Sequence, residues 1–295
     1  MAPHLARIDL YPVKSLDGLT VETASLLASG ALTGDRAFAL LDEAGKFING
    51  KREARIHQVR SRFSSDLHHL TLWTEADRAE QVFPLPWPTS PEAAANSPLA
   101  AWFSAYFQRS VTISHDAAMG FPDDTDSPGP TVISTATLAT VADWFGLSLE
   151  EARCRFRTNL EIGGVPAFWE DQFFSDGGEP VPFTIGAVTL HGINPCQRCV
   201  VPTRDTHTGT ATAKFQARFI QQRSQTLPEG VAQSRFNHFY RLAVNTRIPA
   251  TEAGKSLRVG DPISIQMCSK LNSGRRCKIP QPTGTYGMVR KWLNG

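Results

Sequence analysis

Long apolar runs are missing from this sequence. Nowhere in its 295 residues is there a stretch near the roughly 18 apolar residues that a membrane span needs. A dominant charge is missing too. Thirty Lys and Arg stand against 28 Asp and Glu, a net of +2, which gives no electrostatic case for nucleic acid or an anionic membrane as partner. Cysteine is scarce and odd in number, five in all, which argues against a disulfide framework and for a reducing compartment. The start, Met1-Ala2-Pro3-His4, carries no basic-then-apolar leader, so a cytoplasmic location is expected. With 41% hydrophobic residues, the chain can bury one large core or two modest ones.

What is present reads as an α+β, β-rich protein. Short strand patterns follow one another from Leu5 to Trp73, with turns at Gly34-Asp35-Arg36 and Glu43-Ala44-Gly45, as in a small barrel or sandwich. Proline punctuates Val82 to Pro98 and makes it a loop. Ser97-Pro98 then opens a helix whose Leu99, Trp102, Phe103, Tyr106 and Phe107 form one stripe. The Asp-, Pro- and Gly-rich stretch Phe121 to Pro130 is the expected boundary or binding loop. A helix is predicted over Thr137 to Phe145, stopped by Gly146, and another from Ser148 through Arg153. Phe156 to Ile162 and Phe183 to Leu190 read as strands, Ala213 to Arg223 as a helix, and Phe239 to Val244 and Leu257 to Ile265 as closing strands. The expected division is residues 1–120, residues 121–267 and a C-terminal extension over 268–295.

The chemistry is expected at Cys196-Gln197-Arg198-Cys199. Two thiols three residues apart can be half of a zinc site, a redox pair, or a setting for a single ligand sulfur. Zinc needs four ligands, and Cys268 and Cys277 have the wrong spacing. A redox pair wants a helix N-terminus, whereas these flanks are β-like. A haem attachment would need His where Val200 stands. In an extended segment, residues three apart face opposite sides. One thiol would then face the site as a lone soft ligand to a thiophilic metal, and the other would pack inward. Two structural cysteines without a ligand remain an alternative.

Five segments, in order, carry a resemblance. They are Tyr11-Pro12-Val13-Lys14-Ser15; Gly34-Asp35-Arg36; Phe156-Arg157-Thr158-Asn159-Leu160 with Phe168-Trp169-Glu170-Asp171; the cysteine stretch through Thr203, Asp205 and Gly209; and Val259-Gly260-Asp261-Pro262. Together they resemble the MOSC family in its two-part form, with an N-terminal β-barrel-like region before the MOSC β-barrel domain and its peripheral helices. That form includes the mitochondrial amidoxime-reducing component and bacterial N-hydroxylated-base reductases.

The resemblance implies a molybdenum cofactor, the metal held by a pterin dithiolene and by Cys199. Lys14, Ser15, Arg36, Arg157 and Asn159 would hold the pterin and its phosphate, and Gln197 and Arg198 would line the metal. The residue types suit this: Lys and Arg match a phosphate, and an amide can read a pterin edge. The implied activity is reduction of N-hydroxylated compounds to the amine. Electrons would come from a separate flavin, haem or iron–sulfur protein, since Cys268 and Cys277 cannot complete a cluster. Asp205 or His207 would relay protons. The alternative is a carrier of cofactor or sulfur, with a persulfide on Cys199. Thr158, Asn237 and Phe239 depart from the residues usual in relatives.

Overall fold

The computed structural model describes residues 2–85 and 97–265. The expected extension over 268–295, with Cys268 and Cys277, lies outside the described residues. The chain begins with β1 (His4–Leu10), β2 (Leu19–Val21), β3 (Thr23–Ser25) and β4 (Phe38–Asp42). Next come β5 (Val59–Phe63), β6 (His69–Thr74) and β7 (Gln81–Pro84), then α1 (Pro98–Phe107) and β8 (Val111–His115). The second part holds β9 (Val132–Ser134), α2 (Thr135–Phe145), α3 (Leu149–Phe156), β10 (Leu160–Gly163), β11 (Val181–Ile185) and β12 (Val188–Gln197). It closes with α4 (Phe215–Gln225), β13 (Arg241–Arg247), β14 (Ser256–Arg258) and β15 (Ile263–Ile265). The architecture is β-rich α+β with four described helices, as expected.

Local chemistry explains the helices. Ser97 accepts the Ala100 N–H at 3.2 Å and Pro98 follows it, so α1 starts there. Its Leu99, Phe103 and Phe107 are buried. Ser134 caps α2, and Gly146 ends it in the left-handed region. Ser148 caps α3, with Glu150 and Glu151 in the first turn and Arg153 and Arg155 in the last, each complementing the helix dipole. Each such cap contributes about 1 kcal/mol.

The strands tie the two halves together. One eight-stranded sheet runs β15-β11-β12-β13-β9-β10-β1-β2. The first strand of the chain therefore lies beside β10, with Ile8 opposite Leu160, and β3 pairs with β14. Leu5, Ile8 and Leu10 join Val132, Phe183 and Val244 in one core. A second core gathers Val13, Phe38, Leu40, Leu70, Phe103 and Ile113 around the smaller sheets β4-β8 and β5-β6-β7. A third packs α2, α3 and α4 through Leu138, Phe156, Phe215 and Phe219. After β1 the chain crosses from the first core to the second. There Lys14 N–H donates to Phe38 O at 2.8 Å and Phe38 N–H to Pro12 O at 2.9 Å.

Two segments depart from the expected reading. Phe156 is the last residue of α3, not the start of a strand, because its ring is drawn into the core under the helices. Arg157 then ends the helix in the left-handed region (φ 50°), so the strand is only Leu160–Gly163. The run Phe183 to Leu190 is a hairpin, β11 turning at Gly186 into β12. The last run keeps its expected turn at Val259-Gly260-Asp261-Pro262, which separates β14 from β15.

Candidate functional site

The crossing segment Tyr11–Ser15 forms one wall of a cleft of about 970 Å³ between the two halves. Eleven Lys and Arg residues line it against seven Asp and Glu. That surplus of four positive charges exceeds the net of +2 for the whole chain. The cleft is thus where the molecule concentrates its positive potential, the arrangement that draws an anionic ligand.

Tyr11 organises the cationic wall. Its N–H donates to Asp35 Oδ1 at 2.8 Å, while Arg36 N–H donates to Tyr11 O at 2.8 Å. The Arg36 guanidinium pairs with Asp35 and also reaches Arg157 O at 3.3 Å. Both guanidiniums sit by the Tyr11 ring, Arg36 at 5.3 Å and Arg157 at 4.2 Å from its centroid. Ser15, Arg36 and Arg157 all have positive φ (75°, 50° and 50°), backbone strain of about 1–3 kcal/mol each of the kind that gathers at functional sites. Gly120 makes this packing attainable: a Cβ there would stand 2.7 Å from Asp35 O, and its φ is +71°.

Charge is distributed unevenly along this wall. Burial pulls the Lys14 ammonium below its ordinary pKa, only partly offset by Asp123. Burial also lowers Arg157, which has no ion pair among the described residues. Burial pulls Arg36 down too, but Asp35 and Asp123 outweigh it and hold its pKa above the ordinary value. Lys14 Nζ donates to Phe121 O (2.9 Å) and to Asp123 Oδ1 (2.8 Å).

On the other wall, β12 ends at Gln197 and the chain turns through Arg198 and Cys199 into a short 3-10 turn, Val201–Thr203. Cys196 and Cys199 are both half-buried free thiols, and both line the cleft. The expectation that one faces inward fails because the strand ends at Gln197 and the chain has already turned before Cys199, so strand alternation does not relate the two thiols. Arg198 Nη1 donates to Cys196 Sγ at 3.3 Å, and its other terminal nitrogen holds Phe156 O. Among the described residues Arg198 Nε is buried without a partner, as are Asn194 Oδ1 and Arg204 Nε on the same cleft. A third thiol, Cys154, also lines the cleft, and burial pushes it up to about 11.

Of the residues singled out from the sequence, Lys14, Ser15, Arg36, Arg157, Asn159, Gln197, Arg198, Cys199 and His207 share this one cleft. Asn159 is 2% exposed. Its Nδ2 donates to Asp9 O at 3.1 Å and its Oδ1 accepts from Thr131 N–H at 3.2 Å, so the amide braces the seam. Asp205 is not among the lining residues. Its Oδ1 accepts the Thr208 N–H (2.8 Å) and the His207 N–H (3.1 Å), folding the loop. His207 Nδ1 stands 2.5 Å from Glu75 Oε1, which ties that loop to the N-terminal half. The sequence reading passed over Tyr11, Asp35 and Asp123 as site residues. The first two lie inside segments it quoted, and the third in the loop it marked for binding. Among the described residues no cluster of three His, Cys, Asp or Glu side chains could hold a metal, so a zinc centre has no ligand set there.

Comparison with known proteins bears on this cleft. The MOSC N-terminal beta barrel domain matches residues 2–110, and the MOSC domain matches residues 130–264. The chain belongs to the MOSC family. This MOSC protein is 23% identical over 297 residues to mitochondrial amidoxime reducing component 2 of Macaca fascicularis, covering 88% of this chain and 82% of that one. It is 23% identical over 294 residues to the human mitochondrial amidoxime-reducing component 1, with the same coverage of each chain. The mouse component 1 is 24% identical over 300 residues, again covering 88% and 82%. No helix among the described residues is long and apolar enough to cross a membrane.

Proposed function

We propose that this protein is a molybdenum-cofactor-dependent reductase of N-hydroxylated compounds such as amidoximes and N-hydroxylated bases. The observation that carries the proposal is the opposition, in one cleft, of the Lys14–Arg36–Arg157 cationic wall and the free thiol of Cys199. The fit to such a cofactor is supported by the cleft's unused bonding capacity. Arg157 has no ion pair among the described residues, and Asn194 Oδ1, Arg198 Nε and Arg204 Nε are buried and unpartnered.

In this reading Lys14, Ser15, Arg36 and Arg157 hold the anionic tail, guanidinium forks and an ammonium being suited to phosphate oxygens. Cys199 ligates the metal, a soft thiolate for a thiophilic ion. Asn159 keeps Arg36 in place, and Arg198 and Gln197 line the approach to the metal. The bound cofactor supplies the two-electron chemistry. His207, on the rim of the cleft in a loop that Asp205 folds, is the proton relay in this reading. Electrons come from a separate redox protein. Free thiols at all three described cysteines suit a cytoplasmic location.

The test is a purified sample from a host that makes the cofactor. Stoichiometric molybdenum by elemental analysis, with benzamidoxime reduced at the expense of an artificial donor, is the expected result. Metal-free protein carrying labile sulfur on Cys199 would turn the assignment toward a carrier.

A further inference from the structure

The cationic wall already holds two acids, and they are held differently. Asp35 is locked: it pairs with Arg36, accepts the Tyr11 N–H at 2.8 Å, and its side chain is 10% exposed. Asp123 is not. Its side chain is 66% exposed, and its one hydrogen bond among the described residues is to Lys14 Nζ at 2.8 Å. The backbone on either side is fixed, by Phe121 N–H on Arg36 O at 2.9 Å and by Asn245 Nδ2 on Asp124 Oδ2 at 3.1 Å. The Asp123 carboxylate can therefore leave Lys14 by turning its side chain, without moving the loop.

We propose that Asp123 is the specificity-determining residue of the phosphate pole, its carboxylate standing against Lys14 where a ligand's phosphate must go. The idea rests on the assignment of Lys14, Arg36 and Arg157 to an anion, and it adds a competitor to that assignment. Asp35 and Asp123 offset part of the charge of Lys14, Arg36, Arg157 and Lys51. Asp123 thus cancels part of the positive charge that a ligand's phosphate meets, and it weakens the pole's preference for a doubly charged group over a singly charged one. Removing the Asp123 charge shifts that preference toward dianions. Partial burial alone would raise the Asp123 carboxyl, but Lys14, Arg36 and Lys51 hold it well below the ordinary carboxylate range. The competitor is thus ionised at any pH at which the protein works, and protonation does not remove it.

The experiment uses the full-length, cofactor-free protein and inorganic phosphate, titrated by calorimetry at low salt. Asp123→Asn is expected to bind phosphate about tenfold more tightly than the parent, by loss of like-charge repulsion. The gain should be larger above phosphate's second ionisation than below it, and should shrink as salt rises. Asp123→Ser, with unchanged circular dichroism, should repeat the effect. Equal or weaker binding by both variants, with Lys14→Ala abolishing binding, overturns the competitor role and leaves the anion pole standing. Unchanged binding in Lys14→Ala, or no binding by any of the proteins, overturns the anion pole and this inference together.

Discussion

The Arg157 guanidinium lies 4.2 Å from the centroid of the Tyr11 ring. This single contact joins the crossing segment after β1 to the residue that ends α3. A half-buried cation without an ion pair among the described residues is costly to keep, and the ring face is what holds it here. Cation–π contacts contribute about 0.5–1 kcal/mol, or 2 when desolvated. The first prediction follows from the ring, not the hydroxyl. Tyr11→Phe keeps phosphate affinity, because the Tyr11 Oη bond to Thr158 O is long at 3.3 Å. Tyr11→Leu should weaken phosphate binding about tenfold, both cations losing their ring. Calorimetry on the two variants checks it; an equal loss in both would assign the effect to the hydroxyl.

The two thiols of the cysteine stretch are not equivalent. Cys196 Sγ is engaged by Arg198 Nη1 at 3.3 Å, whereas no hydrogen bond to Cys199 Sγ occurs among the described residues. Cys199→Ser should remain folded, with unchanged circular dichroism, yet purify without molybdenum. Cys196→Ser should retain the metal and most of the turnover. Elemental analysis of the two proteins side by side is decisive: molybdenum retained by the serine variant at 199 removes that sulfur from the ligand role.

Elements set by local chemistry were legible in the sequence. Ser97-Pro98, Ser148 and Gly146 mark helix ends because a cap needs only the residues beside it. The end of α3 was not legible, since Arg157 adopts the left-handed cap that glycine usually takes. Nor was the inward or outward facing of Cys196 and Cys199, because the strand ends at Gln197, between them, and the alternation rule does not reach Cys199. The placement of β1 beside β10 joins residues about 150 apart, and no local pattern encodes a partner so distant. The residues singled out from the sequence share one cleft because four short segments, from both halves, converge on one seam. The commitment of the Asn159 amide to Asp9 and Thr131 was hidden for the same reason, its partners lying in other segments.

Ser148 offers a direct check on how α3 aims Arg157. Its hydroxyl accepts the Glu151 N–H at 3.1 Å. Ser148→Ala should cost about 1 kcal/mol of stability, seen as a shift in the urea midpoint. Ser148→Asp should restore it, because a carboxylate caps as well and suits the dipole. A midpoint that fails to recover in the aspartate variant would place the role of Ser148 outside capping.

The motif Phe168-Trp169-Glu170-Asp171 earns its place through charge buried far from the cysteines. Asp171 pairs with Arg223, which is 1% exposed and lies 4.4 Å from the Phe168 ring and 4.9 Å from that of Phe236. Among the described residues, Glu170 has only Thr137 Oγ1, at 3.1 Å, as a side-chain partner. Burial, with the Asp171 charge beside it, pushes the Glu170 carboxyl from its ordinary 4.5 up to about 7. Between those values the folded protein keeps a proton that the unfolded chain has released. Stability must therefore fall as pH rises through that window and level off above it. Glu170→Gln removes the titration while keeping the shape and an amide to meet Thr137. The variant should melt close to the parent near pH 5 and several degrees above it at pH 8. Parallel melting curves at the two pH values would mean that Glu170 is ionised in the fold, its charge met by Arg223.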